Sequence, residues 1–180
     1  TDLLARSLHE EKDRERLRII KQQVERVTGL IQTLMNFARP QREAPRLVRV
    51  EDAAERALNL IKETAQARGI AIERAFGDTA PILAQAERLE RAFLDLFVNA
   101  GDAMAAVQNG TLRIETRPLR DGVGIHIADM GTGSDPDALE RIFEPFYTTK
   151  PRGKGTGLGL IVTRSIVLEH GGTIDVQSEL

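Results

Sequence analysis

Four short stretches hold the residues best suited to chemistry. Asp95, Asn99 and Asp102 stand at i, i+4 and i+7, a spacing that puts three oxygen-bearing side chains on one helical face. A hard cation such as Mg²⁺ needs only one or two protein oxygens when water and phosphate fill its other positions, and the Asn99 carboxamide can supply one. By itself such a row is also what a solvated helix surface shows. Ala128-Asp129-Met130-Gly131-Thr132-Gly133 sets a carboxylate at the end of an apolar strand, followed at once by glycines that let the backbone turn away. A carboxylate buried there can accept a hydrogen bond from an exocyclic amine, although many hairpin ends carry an Asp and a glycine for no such purpose.

The third stretch, Gly153-Lys154-Gly155-Thr156-Gly157-Leu158-Gly159-Leu160, places four glycines immediately ahead of an apolar helix. Free backbone N–H groups and a helix N-terminus make a phosphate cradle. It is not a Walker A loop, because Lys154 is followed by Gly155 and not by Ser or Thr leading into the helix. The fourth, Phe143-Glu144-Pro145-Phe146-Tyr147-Thr148-Thr149-Lys150, is aromatic and then polar. Two phenylalanines can anchor a loop whose Lys150, Arg152 and Lys154 face phosphates. No single stretch decides the matter; the order of amide-bearing helix, Asp-Gly turn, aromatic patch and glycine loop does.

The elements that must position these residues are legible in outline. Val50 to Ile61 is helix-rich, Gly69 to Glu73 alternates like a strand, and Pro81 to Ala84 is a short apolar strand. A long helix follows, with Leu89, Phe93, Leu96, Ala100 and Val107 expected on its apolar side. Asn109-Gly110 and Asp121-Gly122 turn the chain into and out of the strand around Leu112, Ile114 and Thr116, predicting an antiparallel hairpin with Val123, Ile125 and Ile127. Asp135-Pro136 caps a brief helix, Gly159 to Glu169 forms a last helix closed by Gly171-Gly172, and Thr173 to Val176 is expected to return as a strand. This succession predicts an α+β fold, a two-layer sandwich with helices over one face of a mixed sheet.

Ahead of it, Leu17, Ile20, Val24, Val27, Ile31, Leu34 and Ala38 recur at alternating steps of three and four, and Pro40 stops the helix. Such a narrow seam needs a partner helix. The pattern predicts a partial helical hairpin over residues 1–40, a polar linker over 41–46 that holds Pro45, and a second domain over 47–180.

Composition narrows the function. With 180 residues, 41% hydrophobic and 29% charged, the chain can bury a core, and its net charge of -2 gives no basic excess for nucleic acid or anionic membrane. The absence of cysteine removes thiolate metal sites and cysteine nucleophiles and suits a cytoplasmic setting. No apolar run approaches the roughly 20 residues of a membrane-spanning helix, so no membrane contact is expected from this stretch.

Taken together, the motifs resemble those of the sensor histidine kinases of two-component systems, whose ATP-binding domain has the Bergerat fold shared by the GHKL ATPases. Leu96 to Met104 is similar to the N box, Asp129 to Gly133 to the first glycine box, Phe143 to Lys150 to the F box, and Gly155 to Leu160 to the second glycine box. The seam ending in Phe37-Ala38-Arg39-Pro40 resembles the second helix of the dimerisation and phosphotransfer hairpin, which pairs as a four-helix bundle. The resemblance covers residues from about Asp13 to Val176.

That resemblance implies a kinase core that binds ATP and Mg²⁺ and transfers the γ-phosphoryl group to a histidine, for relay to a response-regulator aspartate. Asn99 would hold the metal, Asp129 the adenine amino group, and Gly131 and Gly133 the base pocket. Lys150, Gly155, Thr156, Gly157, Leu158, Gly159 and Leu160 would cover the phosphates. Asp95 stands where related ATPases carry a water-activating Glu, and is expected to polarise the nucleophile or order a water. The expected partners are a second copy of the chain and a response-regulator receiver domain.

The pattern departs from the family at both ends. The acceptor motif is missing, since His9-Glu10 lies just before the second hairpin helix, and the third glycine box does not follow Val176. The sequence is therefore expected to be truncated and unable to phosphorylate itself. Two other classes share parts of the pattern: a GHKL ATPase driving a clamp, and a catalytically idle dimerising scaffold that acts through regulator dephosphorylation. The heptad helix and the aromatic patch favour the kinase.

Overall fold

A computed structural model of the chain describes Asp13 and residues 15–21, 23, 24, 44–151 and 155–179. The chain divides into two compact units, residues 1–41 with 146–158 and residues 42–145 with 159–180. In the first, the described residues between 13 and 24 are helical, with Ile20 and Val24 exposed at 52% and 56%. The rest of the predicted seam, from Val27 to Ala38, lies outside the described residues, as does His9.

The second unit runs β1 (Arg46–Val48), α1 (Val50–Ala67), β2 (Ala71–Phe76), β3 (Ile82–Ala84), α2 (Ala86–Ala103), β4 (Thr111–Leu119), β5 (Gly122–Asp129), α3 (Pro136–Arg141) and α4 (Gly159–Glu169). Strands β1 and β3 pair antiparallel, with Leu47 opposite Leu83. β4 is the centre of a mixed sheet, parallel to β2 and antiparallel to β5. The predicted hairpin is present, with Arg120 and Asp121 at the turn and Leu119 paired to Gly122.

Period-two alternation sets the inner face: Leu112, Ile114 and Thr116 of β4 are buried while Arg113 and Arg117 face outward. Helices α1 and α2 pack together over that face, α1 through Val50, Ala53, Ala54, Ala57 and Leu58, all at most 1% exposed. Small alanines let the two helices approach closely. The result is the expected α+β arrangement of helices on a mixed sheet.

Two expectations need correction. On α2 the fully buried residue is Phe97 and not Leu96, which is only partly buried; the Phe97 ring is stacked 5.8 Å from that of Phe93, and the helix ends at Ala103, so Val107 lies beyond it. A step of four from Phe93, followed by three to Ala100, follows the 3.6-residue period as well as the reverse order does, so the period does not choose between them. The segment 173–176 is not a strand. Alternation marks residues able to line a sheet, but a ladder also requires a neighbouring strand in register, and no described strand pairs with it. Just beyond it, Ser178 Oγ accepts from the amide of Ser134 at 2.8 Å.

The start of α1 is tied to the sheet by a buried carboxylate. Oε1 of Glu51 accepts from the hydroxyls of Thr79 at 2.5 Å and Thr116 at 2.9 Å. Burial works to raise the Glu51 carboxyl, but these hydrogen bonds, one from its own backbone and the charge of Arg49 outweigh it and leave it below the ordinary value.

Candidate functional site

Helix α2 is the spine of the site. Its apolar stripe faces the core, which leaves Asp95 and Asn99 half-buried along another side. The first residue of α4, Gly159, comes to that side: a methyl group on Gly159 would stand 3.8 Å from Nδ2 of Asn99 and 3.8 and 3.9 Å from Cβ and Cγ of Asp95. The glycine thus leaves a gap one carbon wide between a helix N-terminus and an amide.

Asp95 is paired along its own helix, with Oδ2 accepting from Nε of Arg91 at 3.2 Å. Burial raises its carboxyl above the ordinary value, against the charge and hydrogen bond of Arg91, which lower it. Asp102 does not join the row. Its Oδ1 pairs at 3.1 Å with Nη1 of Arg68, at the end of α1, and the same nitrogen donates to the Gly101 carbonyl at 3.0 Å. An arginine reaching across from α1 thereby takes this carboxylate out of the site, a long-range pairing that helical spacing does not show.

One turn beyond Asn99, Ala103 receives the Asp-Gly turn. The amide of Thr132 donates to the Ala103 carbonyl at 3.3 Å, and a methyl group on Gly131 would stand 2.6 Å from Cβ of Ala103. Only glycine fits at 131. Asp129, expected to be buried, is exposed, because it is the last residue of β5 and no described strand covers that edge. Its Oδ1 accepts from the amide of Gly131 at 2.8 Å, which fixes the carboxylate at the turn. Gly133 has φ of +68°. Asp95, Asn99 and Gly159 are therefore brought together, and Asp129 and Gly131 are held one turn along the same helix.

The glycine loop belongs to the other unit and is ordered by its own contacts. The amide of Phe146 donates to the carbonyl of Gly157 at 2.9 Å. Gly157 has φ of +65°, and a methyl group there would meet the Phe146 backbone at 2.4 to 2.7 Å. A Cβ on Gly155 would stand 2.5 Å from Oγ1 of Thr148 and 3.2 Å from Cβ of Lys150. The hydroxyls of Thr148 and Thr156 accept from the amides of Lys150 and Leu158, at 3.2 and 3.3 Å. Leu160 continues as the second residue of α4.

Ala103 was not anticipated from the sequence, yet its step of four from Asn99 marks it. Nothing in the sequence marks Arg164, whose guanidinium lies 5.2 Å over the ring of Phe143.

Among the described residues, no three His, Cys, Asp or Glu are grouped to hold a metal, and no helix is long and apolar enough to cross a membrane. Residues 84–180 match the family of histidine kinase-, DNA gyrase B-, and HSP90-like ATPases. The chain belongs to that family.

Within it, the chain resembles the histidine kinases. It is 34% identical over 166 residues to the sensor histidine kinase ZraS of Salmonella typhimurium, covering 91% of this chain and 35% of that one. It is similar to ShkA, solved in complex with AMPPNP, at 27% identity and a TM-score of 0.74, over 99% of this chain and 38% of that one. The fold is shared with ThkA, solved in complex with the response regulator protein TrrA, at 19% identity and a TM-score of 0.68, over 92% and 47% of the two chains. The chain spans about a third of the length of the ZraS sequences it matches. The ATPase match begins at residue 84, where β3 ends and α2 is about to start, and so contains α2, the Asp-Gly turn and the glycine loop.

Proposed function

We propose that this chain is the ATP-binding part of a sensor histidine kinase, with part of its dimerising hairpin before it. The observation that carries the reading is that the Asp129 turn and the glycine-led start of α4 abut one helix a turn apart, at Ala103 and at Asn99. A nucleotide has the same two ends, a base with an exocyclic amine and a run of phosphates. The proposed domains are 1–40 for the hairpin, 41–46 for the linker and 47–180 for the ATPase domain.

In this reading Asp129 accepts from the adenine amine, and Gly131 and Gly133 leave room for the ring. The amides around Gly155, Thr156, Gly157, Leu158, Gly159 and Leu160, with Lys150, take the phosphates. Asn99 fits magnesium, since that ion asks little of protein when phosphate and water supply most of its oxygens. Bound there, it would neutralise phosphate charge. Asp95, close to Asn99 and with its carboxyl raised by burial, is suited to holding a proton near the attacking group. In the transfer, the bond between the γ-phosphorus and its bridging oxygen breaks, ADP leaves, and a phosphorus–nitrogen bond forms to a histidine. Alignment and charge supply most of the catalysis.

The half-exposed Ile20 and Val24 of the heptad helix support pairing with a second copy. A receiver domain is the proposed acceptor of the phosphoryl group, as a response regulator is the partner of ThkA in its complex. The ATP supply puts this work in the cytoplasm.

Calorimetric titration with a non-hydrolysable ATP analogue, with and without Mg²⁺, tests the reading on this chain and on Asn99→Ala. Binding that Mg²⁺ strengthens only in the wild type is expected. No binding under either condition refutes the reading. Transfer to an added acceptor fragment, lost in Asp95→Ala, tests the role of Asp95; unchanged transfer removes it.

A further inference from the structure

At the end of α4 opposite to Gly159, the chain closes with Gly171 at φ of +73° and the amide of Gly172 bonded to the Val167 carbonyl at 2.9 Å, a helix stop directly after His170. Both ring nitrogens of His170 are engaged. Nδ1 lies 2.7 Å from the carbonyl oxygen of Ile166, and Nε2 lies 3.0 Å from the backbone amide of Gln85, the residue that begins α2. A carbonyl only accepts and an amide only donates. The two contacts therefore require the same tautomer, neutral with its proton on Nδ1. They also supply an acceptor for a helix N-terminus whose own side chain makes no cap.

Helices α2 and α4 thus run antiparallel and pack together, with His170 against Gln85 at one end and Gly159 against Asn99 and Asp95 at the other. An imidazolium has two donors and no acceptor. A second proton on His170 would set its Nε2–H against the N–H of Gln85 and place a cation at the positive end of the α2 dipole.

We propose that neutral His170 is a positioning residue that pins the far end of α4 to the start of α2 and so keeps Gly159 at Asn99, and that its protonation releases the pin. The part of this concerning nucleotide rests on the function proposed above. The charged groups at this corner are Glu169 on α4, and Arg88 and Glu87 in the first turn of α2. Arg88 is bonded to Glu169, which holds that carboxyl down to about 2. The ion pair therefore stays intact over the range in which imidazoles titrate.

The test uses the full chain labelled with ¹⁵N. At about pH 7.5 the ring nitrogens of His170 should report the Nδ1–H tautomer. As the pH falls to about 5.5, the amide of Gly159 and the side-chain amide of Asn99 should shift with the same midpoint as His170. The other tautomer, or a His170 titration that leaves Gly159 and Asn99 unmoved, overturns the proposal, and neither result needs a nucleotide. With the ATP analogue, the wild type should lose about fivefold more affinity over this range than H170Q, whose side-chain oxygen accepts without titrating. Parallel loss in the two proteins also overturns it. Absence of analogue binding at pH 7.5 would instead refute the nucleotide reading and leave the spectra to decide the pin.

Discussion

Phe146 and Gly157 are clasped backbone to backbone, the amide of the first donating to the carbonyl of the second at 2.9 Å. Both have positive φ, +66° and +65°. A phenylalanine in that region carries strain, and the clasp that holds it is possible only because residue 157 has no side chain. Phe146 and Gly157, eleven positions apart in the chain, are so fixed to one another.

The two glycines that flank Leu158 should therefore respond differently to one methyl group. Gly157→Ala must adopt a left-handed backbone, at about 1–2 kcal/mol, and also displace the Phe146 backbone; hydrogen exchange across 146–158 should rise and analogue affinity should fall at least about tenfold. Gly159→Ala meets only ordinary contacts at 3.8 Å and gains helix propensity. Its melting temperature should hold or rise while analogue affinity falls. Wild-type affinity in Gly159→Ala would show that no ligand enters the gap beside Asn99.

Asp95 should cost the fold stability at neutral pH. Burial raises its carboxyl in the folded state, so that state holds the proton more tightly, and stability falls as the pH rises through the carboxylate range. Asp95→Asn, with no charge to bury, should gain on the order of 1 kcal/mol at pH 7 and nothing near pH 3. Thermal melts at both values check the sign. An equal gain at both would mean that ionisation is not the cause.

Two buried polar side chains invite opposite forecasts. Glu51→Ala strips the Thr79 and Thr116 hydroxyls of their shared acceptor and should cost about 2–4 kcal/mol at pH 7. The Glu51 carboxyl is lowered in the fold, so its contribution is present above the ordinary carboxylate range and lost as the pH falls through and below it; the gap to wild type should narrow in acid. Thr163 on α4 is fully buried and its hydroxyl has no partner among the described residues. Thr163→Val should leave stability unchanged or raise it by about 1 kcal/mol. Urea titrations of the two variants give the comparison.

Much of the fold could be read because hydrophobic period is local. The hairpin of β4 and β5, the helix after Pro81-Ile82-Leu83-Ala84 and the cap at Asp135, whose side chain accepts from the amide of Asp137, all follow from neighbours in sequence. The failures share one cause. Leu96 and Phe97 differ by one step on a helix wheel, and only the shape of the opposing surface chooses between them. Thr173 to Val176 alternates correctly but pairs with nothing described. Asp102 has the right spacing and is taken by an arginine more than thirty residues away.

The sequence alone determined which residue types are on offer for a site, because side-chain chemistry and glycine placement are properties of the residues themselves: an amide on a helix, a carboxylate before a glycine turn, glycines before a second helix. Tertiary packing decided what those residues meet. It brought Gly159 to Asn99 and Gly131 to Ala103, turned Asp102 to Arg68, and set His170 against the start of α2. These contacts join groups distant in the chain, and they form only when helices bury their apolar faces and bring their remaining sides within reach of one another.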